Sequence, residues 1–478
     1  MSTPFAVTLA DRAAADPHRP ALTDATGTIT RAELERRTNR LARAYAELGV
    51  EQDSFVTIGL PNGIEWFEAA IAVWKLGGTP APVSAKLPRL ELEAIVELAD
   101  PALVVGLESP GRTCIPAGFA PDPDLSDEPL PVKVSTAWKA PTSGGSTGRP
   151  KLIVAGGPAT SESVGMTALA FGMQENGVHL ATGPLYHNGP LSFSVGGLLV
   201  GNHIVIMERF DATRCLQLIE EHRADWMYAV PTMMQRIWKL PEEERERHDL
   251  SSLNVVFHLA APCPDWLKRA WIEWLGPEKV WELYAGTEAQ SVTVIKGDEW
   301  LEHPGSVGRP IVGEMRILDP DGNELPPGEQ GEVYMRPPEG VTTYRYIGAE
   351  AKSLDGWESL GDMGWMDEDG YLYLGDRAAD MILAGGANIY PAEIEAALDA
   401  HPGVGSSCVI GLPDDDLGNR IHAIVQATSP VTDDELRAHL ADRLVRYKIP
   451  RTFEYVAEPL RDDAGKIRRS ALRAERIR

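Results

Sequence analysis

A run of ten residues, TSGGSTGRPK from Thr142 to Lys151, concentrates hydroxyl side chains, glycines and two cations. Serine, threonine and glycine runs expose backbone N–H groups that can cradle phosphate oxygens, and a lysine adds charge-assisted hydrogen bonds. The composition alone would also suit a flexible polar loop. The common phosphate loop requires Gly-Lys-Ser/Thr, whereas here Pro150 precedes Lys151 and an apolar stretch follows. The pattern therefore predicts an anion-holding loop of a different kind.

Further segments with chemical potential follow in order along the chain: LAAPC at 259–263, YAGTE at 284–288, LGDMGW around Asp362, GDRAAD around Arg377, AGGANIY at 384–390 and DDAGK ending at Lys466. Each has an ordinary explanation by itself, because a Gly-Asp pair is usually a turn and a Gly-Lys pair near a C-terminus is usually exposed. Six such segments in one register with the glycine-rich run are much harder to explain separately.

Together these motifs resemble those of the adenylate-forming family, which includes acyl-CoA synthetases, peptide-synthetase adenylation domains and beetle luciferases. They span most of the chain. The residue sequences SGGSTGRPKLI, GPLYHN and GWESLGDMGW are most similar to those of the bile-acid–CoA-ligase-like branch. The resemblance implies that a carboxylate attacks the α-phosphate of ATP to give an acyl-adenylate, which CoA then converts to a thioester.

The resemblance also implies a set of nucleotide contacts. The loop would hold the β- and γ-phosphates. The 259–263 segment would lie beside adenine, and Tyr284 would stack near the base. Asp362 would hydrogen-bond both ribose hydroxyls, and Arg377 would precede the hinge. The implied cofactor-binding residues are Thr142, Ser143, Gly145, Ser146, Thr147, Gly148, Lys151, Ala261, Pro262, Tyr284, Asp362, Arg377, Gly385 and Gly386.

The implied catalytic residues are Lys466, Glu288, Thr287 and His187. Lys466 would bind the carboxylate and bridging oxygens, where negative charge gathers in the transition state. Glu288 would help to hold Mg²⁺, and Thr287 would contact the phosphate. His187 occupies the position of a residue that gates the carboxylate. After adenylation the small domain would rotate and place Gly385 and Gly386 against a tunnel for the thiol, since glycine allows a pantetheine chain to pass close to backbone.

The acyl pocket is expected to draw on Phe193, Val230, Met233, Met234 and Gly286. Core packing would explain the methionines and the phenylalanine equally well. The branch resemblance suggests a bulky or polycyclic carboxylic acid as substrate, although a fold or branch does not by itself determine a substrate.

The chain departs from the family pattern in four places. Gly144 occupies a usual serine position, Ala379 replaces the usual hinge Asp or Lys, and Leu360 replaces a common threonine. Asp462 and the two residues after it replace a segment where Thr is common, and carboxylates there could compete for Lys466. These changes bear on the ATP step, so the sequence is also compatible with an enzyme specialised for thioester formation from a preformed adenylate.

Two more functions share the family's motifs: a stand-alone adenylation enzyme that loads a carrier protein, and a luciferase-like oxygenase. For the first, neither a carrier domain nor the usual amino-group-binding aspartate is evident in the sequence. The second would carry all of the same motifs. A non-catalytic nucleotide-binding protein would be expected to have lost Lys466, Glu288 or Asp362, and all three are present.

The elements that must position these residues alternate between strand and helix through most of the first 300 residues. The segment 30–50 predicts an amphipathic helix, FVTIGLP a strand and IEWFEAAIAVWKLGG a helix, and the HIVIM, CLQLIEEHRA and DWMYAVP segments continue the alternation. Such alternation indicates parallel sheets flanked by helices. From about residue 305 short strands and turns such as DPDG predict β structure, which the resemblance identifies as a distorted β-barrel subdomain.

The last hundred residues return to mixed helices and strands, which predicts a small α+β domain. We therefore expect an α/β protein with an N-terminal ATP- and acyl-binding domain over 1–378 and a mobile C-terminal domain over 379–478 carrying the catalytic lysine. A length of 478 residues exceeds what one core normally supports.

The composition restricts the partners. A balance of 45 Lys and Arg against 70 Asp and Glu gives a net charge of −25, which argues against nucleic-acid binding. The four cysteines are widely spaced and predict reduced thiols. No secretory signal or membrane-spanning stretch is evident, so a cytoplasmic location is expected. The expected partners are a small carboxylic acid and CoA, with ATP, AMP and Mg²⁺ as cofactors and a homodimer as one possible assembly.

Overall fold

The structure is a computed structural model that describes residues 2–143, 150–375, 380–384, 387–414, 418–462 and 465–477. Several residues singled out from the sequence lie outside these ranges: Gly144, Gly145, Ser146, Thr147, Gly148, Arg377, Ala379, Gly385 and Gly386. The predicted domain boundary at 378/379 also lies outside them.

The first part of the chain builds a four-stranded parallel sheet in the order β4-β3-β5-β6, and a β1–β2 hairpin that joins a second sheet. The elements are α1 (Phe5–Ala15), β1 (Pro20–Asp24), β2 (Gly27–Thr30), α2 (Arg31–Glu47), β3 (Phe55–Ile58), α3 (Ile64–Lys75), β4 (Thr79–Pro82), α4 (Arg89–Ala99), β5 (Leu103–Val105) and β6 (Cys114–Ile115). A capping box between Thr30 and Glu33 begins α2. Helix α3 is buried along nearly its whole length, as its apolar sequence predicts.

The second part adds the remaining strands of a nine-stranded sheet in the order β15-β14-β13-β12-β11-β9-β10-β1-β2, which is parallel from β13 to β1. Its elements are β7 (Thr142–Ser143), β8 (Lys151–Ala155), α5 (Ser161–Ala170), β9 (Val178–Ala181), α6 (Asn188–Leu199), β10 (His203–Ile206), α7 (Ala212–His222), β11 (Trp226–Ala229), α8 (Pro231–Trp238), α9 (Glu242–Glu246), β12 (Val255–His258), α10 (Asp265–Leu275), a 3₁₀ turn (Pro277–Lys279), β13 (Val280–Tyr284), β14 (Val292–Lys296), α11 (Gly297–Glu302) and β15 (Arg309–Val312). The predicted parallel sheets flanked by helices are confirmed.

The turn-rich region after residue 312 forms antiparallel structure. The strands are β16 (Glu314–Leu318), β17 (Gly331–Arg336), β18 (Tyr344–Ile347), β19 (Lys352–Leu354), β20 (Trp357–Met366) and β21 (Leu372–Leu374). Five of them form one sheet in the order β16-β17-β20-β19, with β21 also on β20. The remaining strand, β18, pairs with β8 in a separate β18-β8-β7 sheet. The expected barrel region is thus two open antiparallel sheets over the described residues.

The C-terminal part is a small α+β unit with a separate core that includes Ile394, Leu398 and Val409. It comprises β22 (Ile382–Ala384), β23 (Ala387–Ile389), α12 (Pro391–Asp399), β24 (Val404–Asp414), β25 (Gly418–Ala427), α13 (Asp433–Ala441), a 3₁₀ turn (Arg446–Lys448), β26 (Thr452–Val456) and α14 (Arg469–Arg476). The sheet order is β24-β25-β26, with β25 antiparallel to β24 and parallel to β26. No described helix is long and apolar enough to cross a membrane.

Candidate active site

Two of the predicted nucleotide-binding residues contact each other directly. Tyr284 stands at the last position of β13, and its hydroxyl donates a 2.8 Å hydrogen bond to Oδ2 of Asp362 on β20. The bond joins the nine-stranded sheet to the antiparallel sheet that follows it. A ring and a carboxylate held side by side in this way can accommodate the base and the ribose of a nucleoside.

Gly286, two residues beyond Tyr284, lies against one of the unusual residues of the chain. A β-carbon placed on Gly286 would come within 2.3 Å of Leu360 Cδ1 and 2.9 Å of Glu288 Oε2. Leu360 therefore occupies the space that a side chain at 286 would need. The structure accounts in this way for the pairing of a leucine at 360 with a glycine at 286.

Lys151, Glu288 and Tyr346 form a compact cluster. Lys151 Nζ lies 3.5 Å from Glu288 Oε1 and 3.8 Å from the centre of the Tyr346 ring, and the Tyr346 hydroxyl donates to the same Glu288 oxygen. Only 5% of Glu288 is exposed, and burial together with the Glu288 carboxylate raises the pKa of Tyr346. The cluster joins the foot of the glycine-rich loop to the predicted magnesium residue.

The sequence gives little indication of Tyr346. It reaches the site because β18 pairs antiparallel with β8, which sets Tyr346 opposite Ile153 and close to Lys151, two residues earlier on β8. The one available signal is the Tyr-Arg-Tyr alternation at 344–346, which puts both tyrosines on one face of a strand. Tyr344 extends the network, since its hydroxyl donates a 2.7 Å hydrogen bond to Glu358.

His187 precedes the first residue of α6, with extended backbone (φ −94°, ψ 146°). Its ring lies 4.4 Å from that of Tyr186, and its buried Nε2 has no hydrogen-bond partner within the described parts of the chain. Burial, with a contribution from the charge of Lys466, lowers the pKa of His187 to about 3. The imidazole is thus neutral at physiological pH and close enough to Lys466 to sense its charge.

Lys466 is presented by a tight turn in the C-terminal part. Its backbone N–H donates 2.9 Å to Oδ1 of Asp462, its carbonyl accepts 2.9 Å from the Asp462 N–H, and Gly465 takes a left-handed φ of 75°. Asp462, an unusual residue here, therefore shapes the backbone of this turn. A β-carbon on Gly465 would lie 3.1 Å from Thr232 Oγ1 and 3.3 Å from Val230 Cγ2, so the turn contacts the start of α8.

A second contact holds the C-terminal part against α8. Gln235 Nε2 donates a 2.9 Å hydrogen bond to the carbonyl of Asp399, at the end of α12. Lys239 Nζ donates to the same carbonyl at 3.2 Å and also to the carbonyl of Val404, at the start of β24. Gln235 is buried, and the two hydrogen bonds of Lys239 are partly buried, so that burial lowers the pKa of Lys239. We call these four residues the docking clasp.

The predicted acyl-pocket residues divide between two cores. Phe193, Val230 and Met233 share one cluster, in which the Phe193 ring lies 5.1 Å from that of Phe257. Met234 is completely buried in the neighbouring cluster with Trp271, on the other side of α8. The structure therefore brings three of these four side chains together and places Met234 elsewhere.

The 259–263 segment follows β12. Ala260 has φ 75°, a left-handed conformation that is unusual for a residue other than glycine, while Ala261 is half-buried and Pro262 exposed. Leu259, which replaces a usual glycine, is buried, and its Cδ1 lies 3.2 Å from where a β-carbon on Gly189 would stand. Leu259 thus narrows the space between β12 and the first turn of α6.

Lys139 was not singled out from the sequence, yet it lies beside the residues that follow His187. It is 9% exposed and donates to Asn188 Oδ1 and, at 2.7 Å, to Ser192 Oγ, both on α6. No carboxylate is among the hydrogen-bond partners described for its ammonium, and burial lowers the pKa of Lys139 to about 7. A nearly buried amine without an acidic partner is costly, so it bears on stability.

The donor set suits Mg²⁺ when a polyphosphate supplies most of its ligands. Within the described ranges no group of three or more His, Cys, Asp and Glu side chains could hold a metal ion alone. Glu288 offers one carboxylate at the Lys151 end of the loop. Magnesium is commonly bound by one or two carboxylates plus substrate phosphates, so Glu288 fits this role.

Three more of the predicted site residues lie in or near these motifs. Thr142 and Thr287 are half-buried, and the side chain of Ser143 lies outside the described residues.

Comparison with known proteins supports a single assignment over nearly the whole chain. A family model described as AMP-binding enzyme matches residues 9–345, and one described as AMP-binding enzyme C-terminal domain matches 393–466. A feruloyl-CoA synthase from an Amycolatopsis species is 32% identical over 97% of both chains. A 2-succinylbenzoate–CoA ligase from Bacillus licheniformis is 29% identical over 97% of this chain and 98% of the relative.

The fold has a solved counterpart in o-succinylbenzoate coenzyme A synthetase from Bacillus subtilis in complex with ATP and a magnesium ion. It is 28% identical and superposes with a TM-score of 0.82, covering 99% of this chain and 100% of that one. The predicted fold class, a large parallel-sheet N-terminal region with a C-terminal domain, is confirmed.

Proposed function

Because this chain belongs to the AMP-binding enzyme family, we propose that it activates a bulky carboxylic acid as an acyl-adenylate and transfers the acyl group to CoA. It is a carboxylate–CoA ligase in enzyme class, with ATP, Mg²⁺ and CoA as its cofactors. The observation that carries the proposal is the contact of Lys151 with Glu288, in a chain that also joins Tyr284 to Asp362 and packs the turn before Lys466 against the start of α8.

In the first half-reaction an oxygen of the acid attacks the α-phosphorus of ATP, and the bond to the bridging oxygen of pyrophosphate breaks. Lys466 would hold the carboxylate and bridging oxygens, and Lys151 would hold the outer phosphates, so positive charge lies where negative charge develops. Mg²⁺, held by Glu288, would neutralise phosphate charge. His187 would line the path of the carboxylate, and because its imidazole is neutral it would not compete with Lys466 for the negative charge.

In the second half-reaction the CoA thiol attacks the acyl carbon and AMP leaves. We propose that the region beyond residue 378 rotates for this step, withdrawing Lys466 and releasing the docking clasp. Shielding the mixed anhydride from water until the thiol arrives is the physical reason for two conformations. The domain boundary at 378/379 is part of this proposal.

The acid is proposed to be bulky and largely apolar, with an aromatic ring as the first candidate. Phe193, Val230 and Met233 are apolar and are supported by an aromatic core. Polycyclic acids, suggested by the similarity of motifs to bile-acid–CoA-ligase-like proteins, belong in the same test. An enzyme with a weak ATP step, a carrier-protein-loading enzyme and an oxygenase are the competing functions.

A substitution at Lys466 tests the catalytic assignment. Lys466→Ala is expected to lower acid-dependent pyrophosphate release by about 10²–10³-fold, as removal of a preorganised charge does at comparable sites. Lys448→Ala is a matched control, because Lys448 pairs with Glu393 within the C-terminal part. An unchanged rate for Lys466→Ala would contradict the assignment. Thioester formation with a carrier protein but not CoA, or consumption of O₂, would favour the competing functions.

A further inference from the structure

The Tyr346 side chain makes two contacts with residues of the proposed ATP site. The hydroxyl donates to Glu288 Oε1, and the ring receives the Lys151 ammonium at 3.8 Å. Lys151 Nζ is also 3.5 Å from Glu288 Oε1. One side chain thus constrains both the cation and the carboxylate that would meet the triphosphate.

We propose that Tyr346 is a positioning residue that aligns Glu288 through its hydroxyl and Lys151 through its ring for binding of magnesium-bound ATP. The inference rests on the proposed function. An unrestrained Lys151 could close fully onto Glu288 and neutralise it. The ring offers the ammonium an alternative favourable position, since a cation over an aromatic face is stabilised by roughly 0.5–2 kcal/mol. The hydroxyl occupies one lone pair of Oε1 and leaves Oε2 for a further ligand.

The position of Tyr346 is itself fixed by strand pairing. Residues 344–347 pair with Leu152–Ala155, so the backbone of Tyr346 is held beside the foot of the loop. Tyr344, on the same face, packs its ring 4.8 Å from that of Tyr346, and its hydroxyl is held by Glu358. A half-buried tyrosine restrained on both sides is suited to hold a carboxylate in one orientation.

The test is a binding measurement that needs no acid. The affinity for ATP is measured by calorimetry with Mg²⁺ and with EDTA, and the affinity for AMP is measured as an internal reference. Tyr346→Phe is expected to reduce the Mg²⁺-dependent gain in ATP affinity about tenfold, as loss of a hydrogen bond to a charged group does. AMP binding should change by less than about twofold on the same reasoning. Tyr346→Leu, which also lacks the ring, should additionally weaken ATP binding severalfold in EDTA.

Controls separate positioning from a structural role. Tyr371→Phe removes a comparable tyrosine–glutamate bond, 2.6 Å to Glu299, which shares no residue with this cluster, and should leave both affinities unchanged. In a double-mutant cycle, Glu288→Gln and Tyr346→Phe should be non-additive, because one acts through the other. Additive effects, or an equal loss of AMP affinity, would overturn the inference. A wild-type chain that binds ATP but makes no acyl-CoA would instead overturn the proposed function.

Discussion

The docking clasp can be removed without touching the proposed chemistry. Gln235 and Lys239 hold the carbonyls of Asp399 and Val404, away from the cluster that Lys151 forms with Glu288 and Tyr346. Replacing both donors by methionine keeps their length and apolar stems but deletes the three hydrogen bonds. If this docked arrangement is the one that adenylates, the first half-reaction should suffer selectively.

The size of the effect follows from burial. The Gln235 bond is buried, and a neutral hydrogen bond of this kind contributes about 1 kcal/mol. The two Lys239 bonds are partly buried and share one ammonium group, so both together contribute about 1 kcal/mol. The total of about 2 kcal/mol corresponds to roughly a 30-fold shift of the docking equilibrium. Adenylation should fall by up to that factor.

The assay treats the two half-reactions separately. Adenylation is followed by acid-dependent ATP–pyrophosphate exchange, and thioester formation by reaction of a synthetic acyl-adenylate with CoA. The double variant should lose the first activity and keep the second close to the wild-type rate, judged against a Lys352→Met control that removes an exposed ion pair with Glu332. Equal loss of both activities, or no loss of exchange, would refute the reasoning.

Two further predictions concern local packing and charge. Burial lowers the pKa of Lys139 from 10.5 to about 7. Between these pH values the unfolded chain binds more protons than the folded chain, so the free energy of unfolding should rise with pH across this window. Below pH 7 the buried ammonium lowers the free energy of unfolding by about 5 kcal/mol. Lys139→Met should therefore be more stable than the wild type at pH 7, and its free energy of unfolding, measured by denaturant titration from pH 7 to about 10, should no longer rise with pH. An unchanged rise with pH would show that another group causes it. Gly286→Ala should lower adenylation about tenfold by overpacking against Leu360. Adding Leu360→Ala should restore the rate in part, because the close approach to Glu288 Oε2 remains, and a double variant no faster than Gly286→Ala alone would contradict the contact with Leu360.

The sequence predicts local elements well where periodicity is strong. The helix expected over 30–50 is α2 over Arg31–Glu47, and the apolar run after FVTI is the buried α3. The residues proposed for the nucleotide site could be selected from the sequence because short motifs carry them at strand ends and in loops. Tyr284 and Asp362 are 78 residues apart in sequence and still meet in the fold.

What could not be predicted depends on pairing between distant segments. Tyr346 reaches Glu288 only because β18 pairs with β8, and the clasp forms only because α12 lies against α8. The hydrophobic periodicity of the sequence also does not show which of two adjacent apolar residues enters a given core. Met233 and Met234 are consecutive on a helix, and their side chains point about 100° apart, so they enter different cores.

The structure explains some of the residues that depart from the family pattern and does not describe others. Leu360 packs over Gly286, and Asp462 shapes the turn that presents Lys466, so these two departures have a structural explanation. Gly144 and Ala379 lie outside the described residues, and their effect on the ATP step remains a prediction for the half-reaction assays.

The most direct test of the proposed function is product stoichiometry over a panel of aromatic, polycyclic and aliphatic carboxylic acids with ATP, Mg²⁺ and CoA. For at least one acid, AMP, pyrophosphate and acyl-CoA should form in equal amounts, and pyrophosphate exchange should require the acid but not CoA. If the chain binds ATP yet no acid supports exchange, while synthetic acyl-adenylates are still converted to acyl-CoA, the proposed ATP-dependent activation is contradicted.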